Sequence, residues 1–246
     1  MFYGHFSLLS RNMELVNGQY TTSGNVLKEI AKEFDAPVYV YDRNSIVNHY
    51  NTLKQAFAPL DIKVKYACKA LNNAAILKLL KKQGCGLDTV SINEVLLGLR
   101  AGLEPGNYLV SESGYFLVKV NILKQTTATV FVGVDSGLYH LIRPMLYDSY
   151  HHIVNLSNPE GKQRIYTVVG YICETDTFGW DRKINEVHEG DILCFKNAGA
   201  YGIAMSSNYN ARFKPAEVLI YNDKVQLIRK RETMEDLIRN EVDAHI

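Results

Sequence analysis

The chain has 246 residues, 47% of them hydrophobic and 22% charged, with a formal net charge of +1. That composition is globular and excludes disordered, collagen-like and coiled-coil architectures. The near-neutral balance gives no footprint for nucleic acid, and no apolar run reaches the roughly 18 residues of a membrane span.

The start, Met1-Phe2-Tyr3-Gly4-His5, has no basic segment ahead of an apolar one, so a soluble, cytoplasmic protein is expected. From residue 23 the pattern alternates between helix and strand. Ser23 is placed as the N-cap of a helix in which Val26, Leu27, Ile30, Ala31 and Phe34 recur at spacings of three and four. Pro37 to Tyr41 reads as a buried strand, and Asp42 caps a second helix carrying Ile46, Val47, Tyr50, Leu53 and Phe57. A strand from Ile62 to Cys68 follows, then a helix opened by Asn73 and stopped at Gly84, a strand from Gly86 to Ser91, and a helix from Glu94 to Ala101. Strands alternating with helices imply parallel β/α units.

After Glu104 the pattern changes. Strands are expected at Tyr115–Lys124, Thr129–Val134, His151–Leu156, Ile165–Ile172, Asp191–Lys196 and Ala216–Ile220, with a hairpin turn at Tyr221-Asn222-Asp223-Lys224 and a helix at Thr233–Asn240. Such a run implies an antiparallel β barrel or sandwich. The four cysteines, Cys68, Cys85, Cys173 and Cys194, form no C-x-x-C pair, and His151 and His152 point to opposite faces of a strand, so no metal site is expected.

Several residues carry chemistry. Lys69, in Tyr66-Ala67-Cys68-Lys69-Ala70, stands at the carboxyl end of a strand in a β/α series. It either leaves the strand for solvent or, flanked by small and apolar residues, serves as an amine that attacks a carbonyl. Arg143 and Tyr147 place a guanidinium and a phenol four residues apart. Cys173-Glu174-Thr175-Asp176 ends an apolar strand with a thiol and two carboxylates, and Tyr201 stands in a turn of small residues. Each alone is compatible with an ordinary turn or strand end. Together they can handle an amino acid with charges at both ends.

In order along the chain, Tyr66–Ala70, Asp88-Thr89-Val90-Ser91, Glu104-Pro105-Gly106, Asp135-Ser136-Gly137, Arg143–Tyr147, Cys173–Asp176, Gly199–Tyr201, Tyr209-Asn210 and Pro215-Ala216-Glu217 resemble the diaminopimelate decarboxylase family. These are fold-type III pyridoxal-phosphate enzymes with a β/α barrel and a C-terminal β domain. The resemblance implies decarboxylation of meso-2,6-diaminopimelate to L-lysine. Lys69 would carry pyridoxal 5'-phosphate, Glu104, Gly106 and Tyr201 would surround it, and Cys173 would protonate the carbon that loses carbon dioxide. Glu174 would accept the distal ammonium of the substrate, and Arg143 and Tyr147 would hold the distal carboxylate. Asn107 occupies a substrate-contacting position that usually carries a basic residue, and Tyr201 lies beside substrate as well as cofactor. Cys173 and Glu174 would reach across the interface of a homodimer with shared active sites.

The sequence departs from that family chiefly by a deletion. Arg100-Ala101-Gly102 is joined to Glu104-Pro105-Gly106 through Leu103 alone, where the family carries most of its barrel. A complete barrel takes about 250 residues, so on the order of 150 are absent. With them go about half the strands, the Gly-rich loop for the cofactor phosphate and the side chain that stacks on its ring. The expected fold is therefore a partial (β/α) barrel fragment at 23–103 followed by an antiparallel β barrel or sandwich at 104–246. Residues 1–22 either pack with that second unit or extend from it. A short parallel sheet left this way keeps open edges and uncovered apolar surface. The alternative is a catalytically inactive deletion product that retains the dimerising β domain.

Overall fold

A computed structural model of the chain describes residues 13–60, 62–101, 110–222 and 224–242. The first three strands, β1 (Glu14–Val16), β2 (Gln19–Thr22) and β3 (Asn25–Val26), form a small antiparallel meander. Its turns, Asn17-Gly18 and Ser23-Gly24, have positive φ at both central residues, the geometry that matches strand twist in two-residue hairpins. Ser23 therefore does not cap a helix. Its hydroxyl donates to Asp42 Oδ1 at 2.9 Å, and helix α1 (Leu27–Glu33) begins after Val26 with no side-chain cap.

The alternating pattern then unfolds as the sequence predicts. Strand β4 (Val38–Asp42) runs into α2 (Arg43–Ala56), where the Asp42 carboxylate accepts from Asn44 N–H at 2.8 Å. Strand β5 (Lys65–Ala67) ends in a 3-10 turn at Cys68–Ala70. Helix α3 (Ala74–Lys82) follows, with the Asn73 side chain accepting from Ala75 N–H at 2.9 Å. Strand β6 (Gly86–Asp88) and helix α4 (Ile92–Ala101) complete this half, with Ser91 Oγ accepting from Glu94 N–H and Glu94 accepting from Val90 N–H. β5 and β6 pair in parallel and, among the described residues, form a sheet of two strands. Val90, Ile92, Leu96 and Leu99 beside that pair are exposed.

The second half contains β7 (Gly114–Gln125), β8 (Val130–Val134), α5 (Arg143–Tyr147), β9 (Ile153–Asn155), β10 (Gln163–Val169), β11 (Thr177–Asn185), β12 (Ile192–Phe195), β13 (Ala216–Tyr221), β14 (Lys224–Arg229) and α6 (Met234–Ile238). Among the described residues, nine strands join in one sheet, in the order β11-β10-β8-β7-β4-β13-β14, with β12 pairing β7 and β9. Strand β7 holds it together: Phe116–Lys119 pair with β12 and Gly114–Leu117 with β4, while Val120–Gln125 pair with β8 across a register shift between Val120 and Ile122.

Two further expectations need correction. The sheet is mixed rather than antiparallel, because β13 runs parallel to β4 and β10 parallel to β8. And β4, read from sequence as part of the β/α series, lies inside this sheet between β7 and β13. All five of its residues are buried: Val38 and Val40 face a cluster with Leu27 and Ile30, and Tyr39 and Tyr41 face the larger core. A strand buried on both faces reads as one apolar run, which announces burial but not the partner. In the larger core the Tyr39 and Phe116 rings stack at 4.5 Å, and each buried ring is worth about 2–3 kcal/mol of transfer free energy.

One buried carboxylate joins the two halves. Glu217 on β13 has no exposed surface and accepts from Tyr41 Oη on β4 at 3.0 Å, from Asn73 Nδ2 at the start of α3 at 3.0 Å, and from Arg229 on β14.

Candidate active site

The turn that follows β5 exposes Lys69 while burying Cys68 and Ala70 on either side. Two bonds set its shape: Tyr66 Oη donates to Leu71 O at 2.9 Å, and Tyr201 N–H donates to Ala70 O at 2.8 Å. The second bond brings a segment 131 positions later in the sequence onto the lysine turn. Tyr201 adopts a φ of 57°, the left-handed region that non-glycine residues enter at a cost of about 1–3 kcal/mol, commonly at functional sites.

Lys69, Asn72, Glu94, Arg143, Tyr147 and Tyr201 line a cavity of about 620 Å³. The Arg143 guanidinium lies 5.2 Å from the Tyr201 ring centroid and 5.6 Å from that of Tyr147, so cation–π contacts hold it between the two phenols. Pro144 occupies the first turn of α5, where its missing N–H costs nothing, and the single turn of helix sets Arg143 and Tyr147 one above the other. A neighbouring cavity of about 450 Å³ shares Arg143 and Tyr201 and adds Ser111, Tyr150, His151 and Asn197. Burial pushes the His151 imidazole below its usual range while its Nδ1 contacts Lys196 O at 2.9 Å, so this ring stays neutral at pH 7.

Four sequence-predicted residues thus meet at one place: Lys69, Arg143, Tyr147 and Tyr201. Glu104, Gly106 and Asn107 lie outside the described residues. Cys173 and Glu174 do not line the Lys69 cavity. They stand exposed on the loop between β10 and β11, and Glu174 lines a separate, apolar cavity of about 680 Å³ with Ile122, Phe131, Tyr171 and Trp180. The Cys173 thiol donates to Glu174 Oε2 at 3.6 Å, and Tyr209 Oη donates to Glu174 Oε1. That hydroxyl holds the Glu174 carboxyl below the usual carboxylate range, and the carboxylate in turn pushes the Tyr209 phenol up. The other three cysteines are buried: burial pushes Cys68 up to about 11 and Cys85 and Cys194 up to about 12, so they stay protonated and inert.

Residues that the sequence did not single out include Asn72 and Glu94 beside Lys69, and His151 and Asn197 beside Arg143. Each is a polar residue in an ordinary turn or helix context, and only the close approach of the two halves reveals it. Among the described residues, no group of three or more His, Cys, Asp and Glu is arranged to hold a metal ion, and no helix is long and apolar enough to cross a membrane.

The chemistry of this set suits a small anionic carbonyl compound. A primary amine opens onto a cavity of ligand size, with a guanidinium for a phosphate or carboxylate and two phenols as hydrogen-bond partners. Comparison with known proteins gives the family. Residues 38–199 match the family described as pyridoxal-dependent decarboxylase, C-terminal sheet domain. The diaminopimelate decarboxylase of Methanothermobacter thermautotrophicus is 46% identical over 142 residues, covering 56% of this chain and 33% of that protein. That of Aquifex aeolicus is 44% identical over 142 residues, covering 57% and 34%. The chain therefore spans about a third of the length of the curated relatives it matches. At the level of fold, the solved Methanocaldococcus jannaschii diaminopimelate decarboxylase superposes with a TM-score of 0.91 at 22% identity, covering 95% of this chain and 98% of that one. The Helicobacter pylori enzyme solved with L-lysine superposes with a TM-score of 0.80 at 21% identity, covering 87% and 98%. The match extends over well more than half of the sequence, and the chain belongs to the pyridoxal-dependent decarboxylases.

Proposed function

We propose that this chain provides the amine, the carboxylate-binding pair and the acid of a diaminopimelate decarboxylase, which converts meso-2,6-diaminopimelate to L-lysine with pyridoxal 5'-phosphate. The observation that carries the reading is the convergence of Lys69, Arg143, Tyr147 and Tyr201 on one cavity from two halves of the sequence. The names of the relatives supply the substrate.

Lys69 would hold the cofactor through its amine, with Tyr201, Glu104 and Gly106 around it. When bound, the cofactor supplies an electron sink for the charge left by departing carbon dioxide. Arg143, steadied between two aromatic rings, offers a forked donor to the distal carboxylate, and Tyr147 adds a hydroxyl. Glu174, kept ionised by the Tyr209 hydroxyl, accepts the distal ammonium, and the Cys173 thiol gives its proton to the carbon that lost carbon dioxide. Asn107 would meet substrate with a neutral amide.

Cys173 and Glu174 stand apart from the lysine cavity, which favours a homodimer in which each chain lends this loop to the other's site. Trp180 and Tyr150, both exposed and lining a groove beside α5, offer aromatic surface for that contact. In this reading the β5–β6 pair and its helices are the opening units of a β/α barrel over 23–103, residues 104–246 form the C-terminal β domain, and the protein works in the cytoplasm.

Incubation of the purified chain with pyridoxal phosphate and meso-diaminopimelate should release L-lysine, read by amino-acid analysis, and Lys69→Ala should abolish it. Absence of lysine with the wild-type chain would overturn the catalytic reading.

A further inference from the structure

The loop that carries Cys173 and Glu174 is anchored by a residue to which no role has been given. Between Tyr171 and Asp176 only Asp176 is buried, at 5% exposure, while Cys173, Glu174 and Thr175 are all open to solvent. The β10–β11 ladder does not fix the loop. Its register shifts at the last two pairs, from Val168↔Gly179 to Val169↔Thr177, so the hairpin is irregular where the loop begins. Asp176 supplies what the ladder lacks. Its main-chain oxygen accepts from Gly170 N–H at 2.8 Å and closes the loop on itself, and its Oδ1 accepts from Leu138 N–H at 2.6 Å, tying the loop to the turn that precedes α5.

The surroundings leave room for that side chain, although its Oδ2 has no hydrogen-bond partner among the described residues and burial pushes the carboxyl up to about 6. A Cβ on Gly137 would stand 2.6 Å from Asp176 Oδ2, and one on Gly170 would overlap the same oxygen. Two glycines on separate segments thus leave a niche filled by this side chain. From the outer side Tyr209 holds Glu174, so the loop is pinned at its base by Asp176 and at its tip by Tyr209.

We propose that Asp176 is a positioning residue: by seating its carboxylate in the Gly137–Gly170 niche it fixes the direction in which Cys173 and Glu174 are presented. In this role it acts through the loop, beside the cavity that Glu174 also lines. The importance of that direction for decarboxylation rests on the function proposed above. The anchoring itself does not, and it is tested on the chain without cofactor.

The test compares Asp176→Ala, Asp176→Asn and Tyr209→Phe with the wild type by amide hydrogen exchange over 170–176 and by titration of the Glu174 carboxyl in NMR spectra. Asp176→Ala removes the acceptor for Leu138 N–H. It should speed exchange across the loop by about tenfold to a hundredfold and return the Glu174 titration towards the ordinary carboxylate value. Asp176→Asn keeps an acceptor oxygen of the same reach and should restore both signals to near wild type. Tyr209→Phe should move the Glu174 titration while leaving exchange at Gly170 and Asp176 unchanged. If Asp176→Ala folds and leaves loop exchange and the Glu174 titration as in the wild type, the positioning role is wrong. If alanine and asparagine prove equally disruptive, the niche demands charge or shape rather than this hydrogen bond, and the proposal fails as well. If Asp176→Ala does not fold, Gly137→Ala, which crowds the same oxygen from the far side, must reproduce the loosened loop or the proposal falls.

Discussion

Glu217→Ala is expected to lower folding stability by about 3 kcal/mol, seen as a fall in the urea midpoint at unchanged slope. Glu217 is fully buried and receives hydrogen bonds from Tyr41, Asn73 and Arg229. Deleting one member of a buried charged network costs about 3–5 kcal/mol, because the remaining groups lose their partner without regaining water. Here the Arg229 side chain is 42% exposed and can turn to solvent, which places the effect at the lower end of that range. Tyr41 Oη has no such escape, and Asn73 Nδ2 keeps only a long bond to Ile228 O at 3.5 Å. Asn73 also caps α3, so the loss should be felt at the start of the helix that follows the Lys69 turn. Glu217→Gln keeps one acceptor oxygen and should cost roughly half as much. Equal stability of Glu217→Ala and wild type would mean that the two halves are not joined through this carboxylate.

Gly199→Ala should be nearly as severe, at roughly 3 kcal/mol, and should also disturb the lysine cavity. A methyl group there would fall well inside contact distance of the Val110 carbonyl oxygen and within 2.9 Å of Gly114 N. Both neighbours are backbone, so neither can rotate away. The approach exists because Gly199 N–H donates to Ser111 O at 3.1 Å and Ala198 N–H to Gly114 O at 2.9 Å, which bind the Tyr201 segment to the start of β7. Pushing that segment outward would draw Tyr201 away from Ala70 O and from Arg143. The check is a lowered melting temperature together with weaker pyridoxal phosphate binding by fluorescence. Ala200→Gly, two residues along the same loop from Ala198, provides a comparison with no added bulk.

The parts of the fold legible in the sequence are those set by local chemistry. Asp42 and Asn73 precede periodic apolar runs, and both cap helices. Ser23 looks the same by that criterion, yet Ser23-Gly24 is consumed by a hairpin turn, because glycine after it makes positive φ inexpensive at both positions. Asp181-Arg182-Lys183 hides strand β11 by breaking its alternation: only Phe178, Gly179 and Ile184 are buried. Helix α5 is a single turn and too short for a 3.6-residue period to show. The place of β4 depends on β7 and β13, far along the chain, and nothing within Val38–Asp42 names them.

The same division holds at the site. Lys69, Arg143, Tyr147 and Tyr201 are legible through family motifs, but the hydrogen bond that brings Tyr201 onto the Lys69 turn is non-local. So is the pairing of Glu174 with Tyr209, 35 positions away, which no spacing rule announces. Asp176 was visible as a carboxylate beside Cys173 and Glu174. Its burial between two glycines is a property of three separate segments packed together.

The most direct test of the account is to incubate the chain with pyridoxal phosphate, reduce with borohydride, digest, and locate the modified peptides by mass. A formed cavity around an exposed amine predicts phosphopyridoxyl label concentrated on Lys69 and lost when Arg143 and Tyr201 are both replaced by alanine. Label scattered over many surface lysines, or absent, would contradict it, and kinship with the decarboxylases would then describe the chain's descent and not its chemistry.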